Sequence, residues 1–173
     1  MRVRIIGVAL AACVLIYPSA APARLVKKWS YDQLLKEADL VVLAVAVRTE
    51  QAEDTPPDHS WPLELVAQNT TFKVRGALKG KAEGEKIQVL HFKFGGPKKG
   101  FEASAGILDG PNLVAFRTEP VTMRAGKEVH VLPPEYLLFL KRMKDGRYEP
   151  VSGRIDPAAS VRQVSGPPGD AEY

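Results

Sequence analysis

The run LVVLAVAV at residues 40–47 constrains this chain more than any other stretch. It is apolar at odd and even positions alike and rich in β-branched residues, so neither face of a strand there suits contact with water. Such a strand belongs in the middle of a β structure, with packing on both sides. Just upstream, Ser30-Tyr31-Asp32-Gln33 has the pattern of a helix start. The serine can accept from the free amides, and the glutamine three residues on can reciprocate. Tyr31, Leu34, Leu35 and Ala38 then recur at helical spacing and mark an apolar face.

Residues 49–62, TEQAEDTPPDHSWP, read as a loop punctuated by paired prolines and acids. Extended character resumes over 64–78, with Phe72 and Val74 on one side and Thr71, Lys73 and Arg75 on the other. A charged turn at 79–84 leads to a strand over 87–94, ended by Gly95-Gly96-Pro97. One more strand is expected near 113–117, and a short alternating run follows over 128–132. Residues 136–144 and 147–151 flank Asp145-Gly146, predicting a hairpin with a two-residue turn in which the glycine takes positive φ. Asp156-Pro157 predicts an N-cap and first-turn proline for a short helix over 158–163. No internal repeat is present. Many short strands, frequent Gly and Pro and only small helices argue for a mainly β fold, a closed or nearly closed small barrel.

The first residues, MRVRIIGVALAACVLIYPSAAPARL, have the three-part order of a secretory signal. Arg2 and Arg4 precede an apolar run too short for an ordinary membrane span, and Ala21-Pro22-Ala23 supplies small residues for cleavage. Two cuts compete. Cleavage after Ala23 frees the chain, whereas Leu10-Ala11-Ala12-Cys13 resembles a bacterial lipobox in which Cys13 would be acylated. The small-residue site at the end of the full apolar run favours Ala23. The expected division is therefore a signal peptide at 1–23, one barrel domain at 24–164, and a mobile tail at 165–173, where SGPPGDAEY has nothing to bury. Composition then matters for partners. Taking Arg2 and Arg4 from the 24 basic residues leaves 22 against 20 acids, too even a balance to argue for nucleic acid. The chain after Ala23 holds no cysteine, so neither a disulfide nor a thiolate metal site is available to it.

The order of these pieces resembles the netrin-module and tissue-inhibitor-of-metalloproteinases superfamily. The matching residues are Ala38-Asp39-Leu40-Val41-Val42, FKVRGALKG from Phe72 to Gly80, Ile87-Gln88-Val89, and YLLFL from Tyr136 to Leu140 before the Asp-Gly hairpin. They span Ser30 to Ser152. The resemblance implies an OB-like small antiparallel β-barrel with one or two short helices, secreted and non-catalytic. The metalloproteinase inhibitors chelate zinc through an N-terminal cysteine held by disulfides. Neither Arg24 nor an acylated Cys13 can take that role, so inhibition does not carry over.

Searches for catalytic constellations end in near misses. Gly76-Ala77-Leu78-Lys79-Gly80-Lys81 is one residue short of a phosphate loop and is followed by Ala82 where a hydroxyl is required. Glu102-Ala103-Ser104-Ala105-Gly106 lacks the first glycine of a nucleophile elbow. His59, His91 and His130 lie on three segments without a ligand spacing. His91 shares parity with Ile87 and Val89, which predicts a partly buried, satisfied imidazole, and His130 shares parity with Glu128, which predicts a solvent face. No catalytic residue, metal ligand or cofactor is assigned. Two binding candidates remain. Asp58, His59 and Trp61 sit in the long loop, where Trp61 either anchors a partner or folds back to plug the barrel. Lys93, Lys98 and Lys99, with Phe94 and Phe101 beside them, form either a solvated turn or an attractor of anionic groups. Asn69-Thr70-Thr71 matches a glycosylation acceptor.

These features favour an exported, non-catalytic domain at the cell envelope or outside the cell, secreted or periplasmic, that recognises a protein or glycan. A membrane contact would arise only through lipid on Cys13. The alternatives are a small secreted metal-dependent hydrolase and a structural envelope lipoprotein.

Overall fold

The computed structural model describes residues 27–57, 63–97, 111–118, 122–124, 128–130 and 133–165. The leader with Cys13, the loop residues Asp58, His59 and Trp61, the pair Lys98 and Lys99, residues 102–106 and the tail from 166 lie outside that set.

Helix α1 spans Tyr31–Glu37 and begins as its sequence predicts. The Gln33 amide donates to Ser30 Oγ at 3.2 Å, and the Ser30 amide donates to Gln33 Oε1 at 3.0 Å. Such a cap is worth about 1 kcal/mol. Two turns of helix can press only one row of side chains into the protein. Leu34 and Ala38 are that row, while Tyr31 and Leu35 stay 56% and 42% exposed. The expected four-residue face is therefore half as wide as its spacing suggests.

Strand β1, Leu40–Gln51, is buried on both faces through its first half. Leu40, Val42, Ala44 and Ala46 join the main core, whereas Val41 packs with Leu34, Ala38, Phe139 and Val151 under the helix. The strand also runs four residues past Val47, into the stretch expected to be loop. It pairs antiparallel with two neighbours, β2 (Leu63–Lys79) and β6 (Glu135–Arg142). Three register shifts against β2 lie between Val41 and Arg48. Irregularities of that kind bend and twist a strand, and here they allow β1 to serve both partners.

Strand β3 (Lys86–Pro97) continues through Gly95 and Gly96 rather than ending there. Its pairing with β2 extends to Leu63 opposite Pro97. Gly95 lies under a close approach: a Cβ there would come within 3.1 Å of Val66 and 3.2 Å of Glu64, so both neighbours would have to give by a few tenths of an ångström. The ribbon β4 (Thr122–Arg124) and β5 (Glu128–His130) is a separate antiparallel pair.

Strand β6 turns back into β7 (Tyr148–Pro150) through the expected hairpin, but with a three-residue loop. The Met143 amide donates to the Arg147 carbonyl, so residues 144–146 form the loop, with Gly146 at φ 89°. A left-handed last residue is the usual companion of that loop length. After β7 the expected helix over 158–163 is absent. Pro157–Ala159 makes one 3-10 turn, and Val161–Ser165 becomes strand β8, antiparallel to β6. Extended backbone wins here because β6 offers a free edge. The sheet runs β1-β2-β3-β7-β6-β8, with β6 also paired to β1 and only the β3–β7 contact parallel. The fold is mainly β. No helix among the described residues is long and apolar enough to cross a membrane.

The strand expected near 113–117 is also absent, since residues 111–118 belong to no ladder. They are held by side chains instead. Phe116 enters the main core beside Phe72, Val89 and Tyr136. Leu113 packs on the opposite face of β2 and β3, against Leu65, Ala67, Leu90 and Phe92.

Candidate binding site

Lys93 is exposed on β3 opposite Val66, and the two lysines expected to join it are outside the described residues. His91 faces inward as its parity predicts, but it is fully rather than partly buried, with 1% of its surface exposed, and it is satisfied at one nitrogen only. Its Nε2 lies 2.8 Å from Thr70 Oγ1, which lies 2.8 Å from Thr49 Oγ1, while Nδ1 has no hydrogen-bond partner. Burial pushes its pKa down to about 4; the Phe92 backbone opposes this weakly, without hydrogen-bonding geometry. The imidazole is therefore neutral at ordinary pH. Among the described residues, no three His, Cys, Asp or Glu side chains converge. Asn69 sits within β2, and its side-chain oxygen accepts from Arg147 at 3.1 Å. A glycosylation acceptor belongs on a surface loop, so that motif serves the strand instead.

Arg147 is the centre of a clamp. Its two terminal nitrogens donate to Asp54 at 2.7 and 2.8 Å, and Nε donates to Asp145 at 2.8 Å. The guanidinium hydrogen bonds hold both carboxyls below the usual aspartate range. A bidentate pair of this kind fixes orientation as well as charge. It ties the β6–β7 loop to the stretch that follows β1.

The cleft best suited to a ligand lies elsewhere. Lys27, Trp29, Asn112, Ser152, Asp156 and Ala159 line a hollow of about 70 Å³. Trp29 occupies the position before the helix cap and packs into the Leu34 cluster, an arrangement that fixes the chain's entry into α1. Lys27 Nζ stands 3.5 Å above the Trp29 ring and 3.8 Å from Glu37. On the far wall, Asp156 does not cap the 3-10 turn. Its Oδ1 accepts from the Asn112 amide at 3.2 Å, joining residues 111–118 to this wall. The Ser152 amide donates to Ser160 Oγ, and the Ser152 hydroxyl donates to the Asp156 carbonyl at 2.6 Å while accepting from Ser160.

That wiring decides what the cleft can do. A serine nucleophile needs a base to take its proton, and the Ser152 proton is committed to a backbone carbonyl. Pockets that enclose a small-molecule ligand are about 300–1,000 Å³. The hollow is far smaller, so it suits one protruding polar group of a larger partner. An aromatic ring, an ammonium, an amide and a carboxylate offer such a group both donors and acceptors.

Sequence periodicity does not reveal this site, since its residues come from three segments separated by 83 and 40 positions. One local signal was present: Trp29 stands directly before the Ser30 cap, with Leu34 placed to meet it. No family model matches the chain, and no curated protein or solved structure matches it either.

Proposed function

We propose that this chain is an exported, non-catalytic binding domain on an OB-like β-barrel, recognising a glycan or protein at the cell envelope or outside the cell. The carrying observation is the Trp29 cleft, whose small volume and mixed polar lining suit one protruding group. The barrel is supported by the pairings, which pass from β1 through β2, β3, β7 and β6 and return to β1, with a parallel β3–β7 step. The likeness to the netrin-module superfamily is supported by the places of its matching residues. Ala38 to Val42 lead into β1, Phe72 to Lys79 close β2, and Tyr136 to Leu140 lie in β6. In an OB-like barrel the loop after the first strand and one between the later strands commonly flank the ligand; the Arg147–Asp54 pair fixes the β6–β7 loop against the stretch that follows β1.

Co-sedimentation with insoluble polysaccharides, peptidoglycan and chitin among them, tests the glycan reading on the purified chain. Lys27 and Asn112 are exposed, so Lys27→Ala and Asn112→Ala should leave the thermal midpoint nearly unchanged. Each removes one polar contact, and retention should weaken about 3- to 10-fold. Retention unaffected by both variants would remove the cleft from the binding surface. Export has its own test, the intact mass of the chain from soluble and membrane fractions of an expressing bacterium. A soluble species starting at Arg24 is expected. A lipidated species starting at Cys13 would make the protein an anchored one, and an uncleaved chain in the cytosol would overturn export.

A further inference from the structure

We propose that residues 111–118 form an acid-released strap, kept on the sheet by neutral His91 and let go when that imidazole is protonated. The inference goes beyond the binding reading: it shares Asn112 and Asp156 with the cleft but turns on His91 and Phe116.

The strap is held in an unusual way for a segment that reaches the core. It belongs to no strand, and two of its amides donate to side chains, Asn112 to Asp156 and Arg117 to the Tyr136 hydroxyl at 3.1 Å. Its deepest anchor is Phe116, 9% exposed. That ring meets three others edge-on: Phe72 at 4.8 Å, Tyr136 at 5.2 Å and His91 at 4.8 Å. His91 is therefore one wall of the socket in which the strap is seated.

The protonated ring donates from both nitrogens: Thr70 Oγ1 can accept at Nε2, whereas Nδ1 has no partner in hydrogen-bonding geometry and the Phe92 backbone offsets only part of the burial penalty. Unpaired charge in a core is expensive, and the group must gain water or stay neutral. The elements around His91 do not compensate it. On the neighbouring strands the nearest polar groups are Thr70 and Thr49, the former already bonded to Nε2. Charged side chains of these elements are Arg48 and Glu50 on β1, Glu64, Lys73, Arg75 and Lys79 on β2, Lys86 and Lys93 on β3, Arg117 on the strap, and Glu135, Lys141 and Arg142 on β6, and none bonds to Nδ1. Arg48 and Glu50 pair with each other at the surface. Tyr136 is held neutral, its pKa raised by burial. Water can reach the ring by parting the β1, β2 and β3 ladders or by lifting Phe116. Lifting Phe116 breaks no ladder, so the strap opens first.

The sign follows from linkage. His91 in the closed form has a pKa of about 4, against about 6.5 for an exposed histidine. The open form binds more protons between those values, so opening is favoured as pH falls through 6.5. The open-to-closed ratio should rise about 20-fold from pH 7 to pH 5 and about 100-fold by pH 4. The lowered carboxyls of Glu37, Asp54 and Asp145 lose their contribution only as pH falls below the ordinary carboxylate range, so pH 5 isolates the histidine.

Native-state amide exchange on the full chain, corrected for the intrinsic rate at each pH, reads this directly. Between pH 7 and pH 5 the Arg117 amide should lose about 20-fold in protection, while Val42 and Leu138 keep theirs. His91→Gln, which keeps a polar group for Thr70 but cannot charge, should flatten the response. Loss of protection in step across strap and strands, or an unchanged response in His91→Gln, would overturn the proposal. Should that variant not fold, the wild-type imidazole titration followed by NMR decides. A His91 that titrates near 6.5 with the strap still protected excludes the device, and one that resists protonation until the strap opens supports it.

Discussion

Phe72→Ala should lower stability by about 4 kcal/mol, the middle of the range for truncating a buried phenylalanine. Phe72 has no exposed surface and belongs to the cluster that joins β1, β2, β3, β6 and β7 to residues 111–118. Its ring meets Phe116 at 4.8 Å and 89° and Tyr136 at 6.2 Å and 85°. Edge-to-face pairs add about 0.5–1.5 kcal/mol beyond the area they bury. The strands on either side are ladder-bonded, so the site cannot collapse far to fill the void. For a domain of this size the loss corresponds to a fall in thermal midpoint of about 12 °C. Leu35→Ala is the matched control. Leu35 is 42% exposed on the helix, and its truncation should cost about 0.5 kcal/mol or less. Chemical denaturation of the two variants measures both. Equal losses would mean that the core does not centre on Phe72.

The contrast between those residues also shows how far periodicity carries. Phe72 and His91 are placed correctly by alternation alone, because a paired strand repeats every two residues whatever its neighbours do. Leu35 is not, since helical spacing gives a face but not the width of the surface that meets it. The run at 40–47 was legible because it was apolar at both parities, and β1 is buried on both sides. Gly95-Gly96-Pro97 looked like an end. Val66 and Glu64 pack closely over Gly95, and β2 and β3 stay paired past it. Segments 113–117 and 158–163 were misread for the same reason. Their local preferences are weak, and partners from distant parts of the chain decided them.

The candidate site was the least legible part. The sequence favours Asp58, His59 and Trp61 and the group Lys93, Lys98 and Lys99, of which the described residues include only Lys93, alone and exposed. Trp29, Asn112 and Ser152 carry no motif, and Asp156 has the place of a local cap. Asp156 was read as a cap because Pro157 follows it, yet its carboxylate reaches Asn112, 44 positions away. Only the return of β6, β7 and β8 toward the helix brings these groups together. A cleft wired through backbone amides leaves little trace in residue order, since any residue but proline can supply an N–H.

Gly80 offers the sharpest separation of conformational strain from steric conflict. Gly80→Ala should cost about 3 kcal/mol, and Gly84→Ala about 1 kcal/mol, although both glycines have positive φ. At Gly84, φ is 97° and a Cβ would meet nothing within 4 Å, so only the left-handed backbone is penalised. At Gly80, φ is 74° and a Cβ would lie 2.2 Å from the Asp39 carbonyl oxygen. That oxygen cannot easily retreat. The Asp39 amide donates to the Leu140 carbonyl at 2.9 Å, and the Asp39 carboxylate accepts from the Arg142 amide at 2.8 Å, so the residue is held against β6 from both sides. Relief requires the β2–β3 turn to move away from the start of β1, where Val41 pairs with Lys79. Thermal midpoints should therefore fall by about 10 °C for Gly80→Ala and about 3 °C for Gly84→Ala. Equal falls would place the turn further from Asp39 than the structure has it. A Gly80 variant that melts early but regains stability in an Asp39→Gly background would leave the contact in place and show that β6 does not hold it rigid.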